Sequence, residues 1–108
     1  MAKRKRKAAV YANGIAPVVG MGATYGIGSD RYSYTITSVN KTGKTIKAMP
    51  ANPIFENGKL LGFDESYAAG EGTVYTLRKD GYFYAKGSKS RYGALVIGHR
   101  SYYMDPHF

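Results

Sequence analysis

Nothing in this chain of 108 residues reads as a helix of ten residues or more. Glycine, proline and Asn-Gly or Asp-Gly steps interrupt it every few residues. The runs between them are short and rich in Tyr, Thr, Ile and Val. A chain punctuated in this way is confined to the all-β class, with hairpins as its building unit.

The strongest run is Tyr32 to Val39, with Tyr32, Tyr34 and Ile36 on one face. Asn40-Lys41-Thr42-Gly43 is turn chemistry, and Lys44 to Met49 returns as its partner with Ile46 and Ala48 facing one way. Pro50 and Pro53 mark an edge or a corner. Ile54-Phe55-Glu56, then Asn57-Gly58, then Lys59-Leu60-Leu61 predicts a hairpin on a type I′ turn, because Asn-Gly supplies two positive φ values. Residues 62–72 read as a loop. Thr73 to Arg78 and Tyr82 to Lys86 form a third hairpin around Lys79-Asp80-Gly81. Thr24 to Ile27 and Ala94 to Ile97 add short strands, Val18-Val19 reads as a strand beginning, and Tyr102-Tyr103 as a last one. The expected fold is a small, partly open β-barrel of about six to seven short strands. It suggests an SH3-like or Tudor-like barrel, which begins with a long bent second strand like the one entered by Asp30-Arg31-Tyr32.

The length allows one domain. Sixteen basic side chains against seven acidic ones give a formal charge of +9, but five of the sixteen are Lys3, Arg4, Lys5, Arg6 and Lys7. Residues 1–9 are therefore expected to be a disordered basic arm, and residues 10–108 the barrel, itself mildly basic. Glycines and Pro17 beyond the arm leave no apolar core for a signal peptide, and no stretch is long enough to span a membrane. Absence of cysteine excludes disulfides, thiolate metal sites and a cysteine nucleophile. Eleven tyrosines suit a thin barrel, since each buries a ring and keeps its hydroxyl at the rim.

No catalytic constellation emerges, and neither a metal nor a cofactor is expected. Gly20-Met21-Gly22-Ala23-Thr24-Tyr25-Gly26 has the wrong spacing for a dinucleotide fingerprint and no helix after it. His99 and His107 lack the spacing of a metal site. The ending from His99 to Phe108 is unusually aromatic and is expected to dock on the body, with Tyr103 or Phe108 as an apolar plug.

What remains is basic residues interleaved with tyrosine. Arg31 heads one cluster. Arg78, Lys79, Tyr82, Tyr84, Lys86, Lys89, Arg91 and Tyr92 form a denser one, and Arg100 lies in a third. Cations that neutralise phosphate beside rings that stack bases make a nucleic-acid surface, to which Lys3 to Lys7 add affinity. The expected partner is nucleic acid or a nucleotide. A host defence protein or its signal is the alternative, and a structural role in a virion a further one.

Gly20-Met21-Gly22-Ala23-Thr24, Ser29-Asp30-Arg31-Tyr32-x-Tyr34-Thr35-Ile36 and the Lys/Gly turn at 41–44 form a pattern. It continues in Thr76-Leu77-Arg78-Lys79-Asp80-Gly81-Tyr82-Phe83 and Ile97-Gly98-x-Arg100-x-Tyr102-Tyr103-x-Asp105-Pro106-x-Phe108. The chain thereby resembles a group of small proteins from tailed phages and their bacterial hosts that has no established activity. The resemblance spans residues 18–108, except for residues 50–72. It implies a phage origin and a place in the cytoplasm of the bacterial host. It also singles out Asp30, Arg31, Arg100, Tyr103 and Asp105 as a cluster.

Overall fold

The structure, a computed structural model, describes residues 9–27, 29–88 and 93–103. They form eight strands: β1 (Gly22–Ile27), β2 (Asp30–Val39), β3 (Thr45–Pro50), β4 (Pro53–Glu56), β5 (Lys59–Phe63), β6 (Thr73–Leu77), β7 (Phe83–Ala85) and β8 (Leu95–Ile97). Six of them close an antiparallel barrel in the order β1-β2-β3-β6-β7-β8, while β4 and β5 stand apart as a two-stranded ribbon. The barrel is closed where sequence suggested a gap. Closure comes from β8 pairing with β1 at Ala23↔Ile97, Thr24↔Val96 and Tyr25↔Leu95, a contact between distant parts of the chain. The β7–β8 seam is thin, with Phe83↔Leu95 as its one residue pair.

Alternation along each strand decides what lies inside. Ala23, Ile36, Ile46, Ala48, Tyr75, Phe83, Leu95 and Ile97 form the buried core. At one end of the barrel the rings of Tyr25, Tyr34 and Tyr75 are packed in series, with centroids 5.8 and 6.4 Å apart. This is the rim role that a tyrosine-rich composition predicts.

The other end is closed by residues 11–13. The Tyr11 ring stacks 6.2 Å from Phe83, and its hydroxyl donates to the Gly43 carbonyl at 3.0 Å. The Ala12 amide donates to the Gly81 carbonyl at 3.0 Å, and the Asn13 side chain to the Ile97 carbonyl at 2.6 Å. Gly81 has φ 86°, and a Cβ there would lie 2.5 Å from the Ala12 nitrogen, so the strap demands glycine. Nothing in the aperiodic sequence of this strap marks it as a cap.

The outer face of β2 is buried and polar. A bulge sets Ile36 opposite Ala48 and Ser38 opposite Lys47, which leaves Thr37 outside the ladder. Its carbonyl accepts the Gly70 amide at 3.0 Å, and its hydroxyl donates to the Glu71 carbonyl. The Ser33 hydroxyl donates to the Ala51 carbonyl, and the Ala51 amide donates back to the Ser33 carbonyl at 2.9 Å. Residues 51–72, the excursion between β3 and β6, are thus tied along β2. Their ribbon turns at Asn57 (φ 50°) and Gly58 (φ 77°), the positive pair that the type I′ turn requires. β5 runs on to Phe63, two residues into the stretch expected to be loop.

Three smaller expectations need correction. Val18 and Val19 are exposed and lead into a turn at Gly20 rather than a strand, and β1 begins at Gly22. Tyr103 does not plug the core. It is half exposed and makes a single antiparallel bridge with Arg31, through amide–carbonyl bonds of 2.6 and 2.8 Å. β8 begins at Leu95 rather than Ala94. Phe108 lies outside the described residues.

Candidate nucleic-acid interface

Successive hairpin turns of an antiparallel barrel alternate between its ends. The β2–β3 loop (40–44) and the β6–β7 turn (78–82) consequently share an end, locked together where the Leu77 amide donates to the Lys44 carbonyl at 2.8 Å. Asn40 shapes the first loop by accepting the amides of Lys44 and Thr45 on its side-chain oxygen, both at 3.1 Å. The second is a tight turn, with the Gly81 amide on the Arg78 carbonyl at 2.9 Å and the Arg78 amide on the Tyr82 carbonyl at 3.0 Å. Lys41 and Lys44 are thereby placed beside Arg78 and Lys79. The strap at residues 11–13 crosses the same two turns, and in sequence it follows the Lys3 to Lys7 run by a few residues.

From this end a ledge runs down the outer face of β6 and β7. Arg78 lies flat on it, its guanidinium carbon 4.0 Å from the centroid of the Tyr84 ring, and its Nη2 donates to the Ser88 carbonyl. The Tyr84 hydroxyl donates to Asp80 Oδ2 at 2.5 Å, while Asp80 Oδ1 accepts the Tyr82 amide at 2.9 Å. Bonding to the Asp80 carboxylate holds the Tyr84 hydroxyl above the ordinary tyrosine pKa. Leu77, Arg78, Lys79, Asp80 and Tyr84 line an open depression of about 760 Å³.

The denser sequence cluster therefore holds together in space at Arg78, Tyr82, Tyr84 and Lys86. The roles within it divide. Tyr84 is 6% exposed and covered by Arg78, so it supports the cation and has no free face for a base. Tyr82 is 37% exposed and presents its ring outward. Lys86 is exposed at the foot of the ledge, where its amide donates to the Val74 carbonyl at 2.9 Å. Lys89, Arg91 and Tyr92, with Lys3, Arg4, Lys5, Arg6 and Lys7, lie outside the described residues.

Arg31 and Arg100 do not belong to this surface. Arg31 stands at the start of β2, opposite Gly26, with Nη1 donating to the Asp30 carbonyl at 2.8 Å. Arg100 turns inward across β1 and is 14% exposed. Its Nη2 donates to Thr35 Oγ1 at 3.1 Å and toward the Gly20 carbonyl at 3.4 Å, and Nη1 sits 3.6 Å from the exposed Glu65 carboxylate. Its Nε is buried with no hydrogen-bond partner. The group singled out by the resemblance thus separates. Asp30, Arg31 and Tyr103 meet, Arg100 lies several residues along β1 at Gly22, and Asp105 lies outside the described residues.

Sequence reading missed Lys41 and Lys44 as site residues, taking Lys41 as turn chemistry and Lys44 as the exposed start of the returning strand. The available signal was topological, because every second hairpin turn of a barrel faces the same way. Among the described residues no group of three or more His, Cys, Asp or Glu side chains could hold a metal, and no helix is long and apolar enough to cross a membrane. Compared with protein-family models, curated proteins and solved structures, the chain matches none.

Proposed function

We propose that this protein binds nucleic acid with the barrel end formed by Lys41, Lys44, Arg78 and Lys79, continued along the ledge by Tyr82 and Lys86. The observation that carries this reading is the convergence of two lysine-bearing turns and the strap that follows the pentabasic run. Asp80 is the one carboxylate in these two turns, and it is occupied by the Tyr84 hydroxyl and the Tyr82 amide. Cations on fixed turns would neutralise backbone phosphates, and the Tyr82 ring would stack a base. The arm would add affinity without reading sequence. On the resemblance to tailed-phage proteins, the partner would be met in the cytoplasm of a bacterial host.

The test is fluorescence anisotropy with a labelled single strand and a labelled duplex, at several salt concentrations. The full chain and a chain starting at Ala9 are compared. Each neutralised phosphate adds about 0.9 to the log–log salt slope on duplex and about 0.7 on a single strand. The shortened chain should still bind, with a shallower slope. Lys41→Glu/Lys79→Glu/Lys86→Glu in that chain should abolish binding, and Tyr82→Ala should cost about 1–3 kcal/mol on the single strand. Loss of all binding with the arm, or indifference to the triple reversal, removes the site from this surface.

A further inference from the structure

The β4–β5 ribbon is the least buried pair of strands among the described residues. Ile54, Phe55, Leu60 and Leu61 are between 43 and 62% exposed. Phe55 meets the Tyr102 ring at 5.8 Å, and Tyr102 meets Tyr32 at 6.3 Å. Ile54 and the bulged Leu61 have no such cover, and a Cβ at Gly62 would meet nothing within 4 Å. A two-stranded ribbon is marginal in water without packing on at least one face. Large apolar side chains left exposed together on one element mark an interface.

Charge says what covers it. The ribbon and the two residues that follow it carry Glu56, Asp64 and Glu65 against Lys59 alone, while Glu71 lies apart from them beside Thr37. Asp64 accepts the Ser66 amide and hydroxyl at 2.9 and 2.6 Å, which holds its carboxyl below the usual range and ionised. The complementary surface exists on the same molecule, but at the opposite end of the barrel. There Lys41, Lys44, Arg78 and Lys79 stand on the two turns that the strap crosses, and Val10 and Ile15 on either side of the strap are 74 and 41% exposed. The ribbon rests near Tyr32, and the basic loop begins beyond Val39, about 23 Å further along β2 at strand rise. One molecule cannot bring the two together, whereas two molecules can.

We propose that copies of this chain associate head to tail, the apolar β4–β5 ribbon of one, with the acidic Asp64 and Glu65 at its foot, seating on the basic strap end of the next. Two different surfaces meet, so the contact is heterologous and repeats into a ring or a filament. The proposal stands on the placement of charge and apolar surface and does not depend on nucleic-acid binding.

Sedimentation velocity over a concentration series tests it. The unaltered chain should form dimers and larger species, which weaken as salt rises. Ile54→Ser/Leu61→Ser should weaken association by at least about tenfold, the equivalent of some 1.4 kcal/mol. Glu56→Lys/Asp64→Asn, a second variant that keeps the apolar residues and the acceptor for Ser66, should do the same. Lys41→Glu/Lys79→Glu should do so from the other end. Each variant should melt as the unaltered chain does, because every altered side chain but Lys41 and Lys79 lies outside the barrel and those two are exposed. A mixture of the Ile54→Ser/Leu61→Ser chain with the Lys41→Glu/Lys79→Glu chain should then form a one-to-one dimer and nothing larger. Each variant retains one competent surface, so growth stops after one contact. A monomeric unaltered chain overturns the proposal and leaves the ribbon to another partner. A Lys41→Glu/Lys79→Glu chain that associates normally overturns it in favour of ribbon-to-ribbon pairing. A mixture of folded variants that stays monomeric also overturns it. Because the ribbon variants leave the basic end intact, oligonucleotide binding by them is a separate readout, and either reading can fail without the other.

Discussion

Arg100 reaches inward across β1, and Gly22 leaves the room for it. A Cβ on Gly22 would stand 2.6 Å from Arg100 Cγ. Gly22→Ala should therefore destabilise the barrel by about 1–3 kcal/mol in urea unfolding. In a chain already carrying Arg100→Ala the same change should cost much less, and the double-mutant cycle should show the difference as coupling. Equal costs in the two backgrounds would mean that Arg100 is not the obstacle. The second residue-scale prediction concerns Tyr75. Burial, then the neighbouring Tyr34 and the hydroxyl bond donated to it, push the Tyr75 pKa well above its ordinary value. Burial raises Tyr34 as well. The unfolded chain loses these protons first, near pH 10, so stability is level below that pH and falls as the pH rises through it. Tyr75→Phe should make the alkaline limb shallower in thermal melts recorded from neutral to strongly alkaline pH. An unchanged limb would assign the slope to other groups.

Among elements, the strap at residues 11–13 and the bulge in β2 do the most for their size. The strap closes one end with a ring, a hydroxyl and two backbone-directed hydrogen bonds. Tyr11→Ala should cost about 2–4 kcal/mol, below the loss for a fully buried aromatic because Tyr11 is partly exposed. A melting temperature that stays in place would show that the strap is dispensable. The bulge turns Thr37 from a ladder residue into an anchor for Gly70 and Glu71. Gly72 completes the anchor at φ 113°, where a Cβ would strike the Ala48 carbonyl at 2.2 Å. Both devices were illegible in sequence for one reason. Each depends on a partner more than 30 residues away, and neither has a period or a turn signature of its own.

At the scale of the molecule, basic side chains gather at one end and acidic ones on the excursion tied to β2. Nucleic acid and the ribbon of a second copy are assigned the same basic end, so they should compete. Adding an oligonucleotide to the associated protein should release monomers bound to oligonucleotide. Sedimentation with a labelled strand reads this directly, and co-sedimentation of the strand with intact assemblies would separate the two surfaces.

The local grammar of this fold was written in the residues. Turn chemistry placed the 40–44 loop, Asn57-Gly58 and the 78–82 turn, and alternation put Ile46, Ala48, Tyr75 and Phe83 inside. Both rest on interactions within a few residues, so local chemistry alone made the chain all-β, built of hairpins and rich in rim tyrosines. Long-range contact decided the rest. Pairing of β8 with β1 closed the barrel, and the interleaved topology carried Lys41 and Lys44 to Arg78 and Lys79. Arg78 covering Tyr84 turned an apparent stacking ring into a support, and the reach of Arg100 to Thr35 took an apparent surface cation inside. A side chain's exposure is set by what folds over it, and in this barrel the covering segments come from far along the chain.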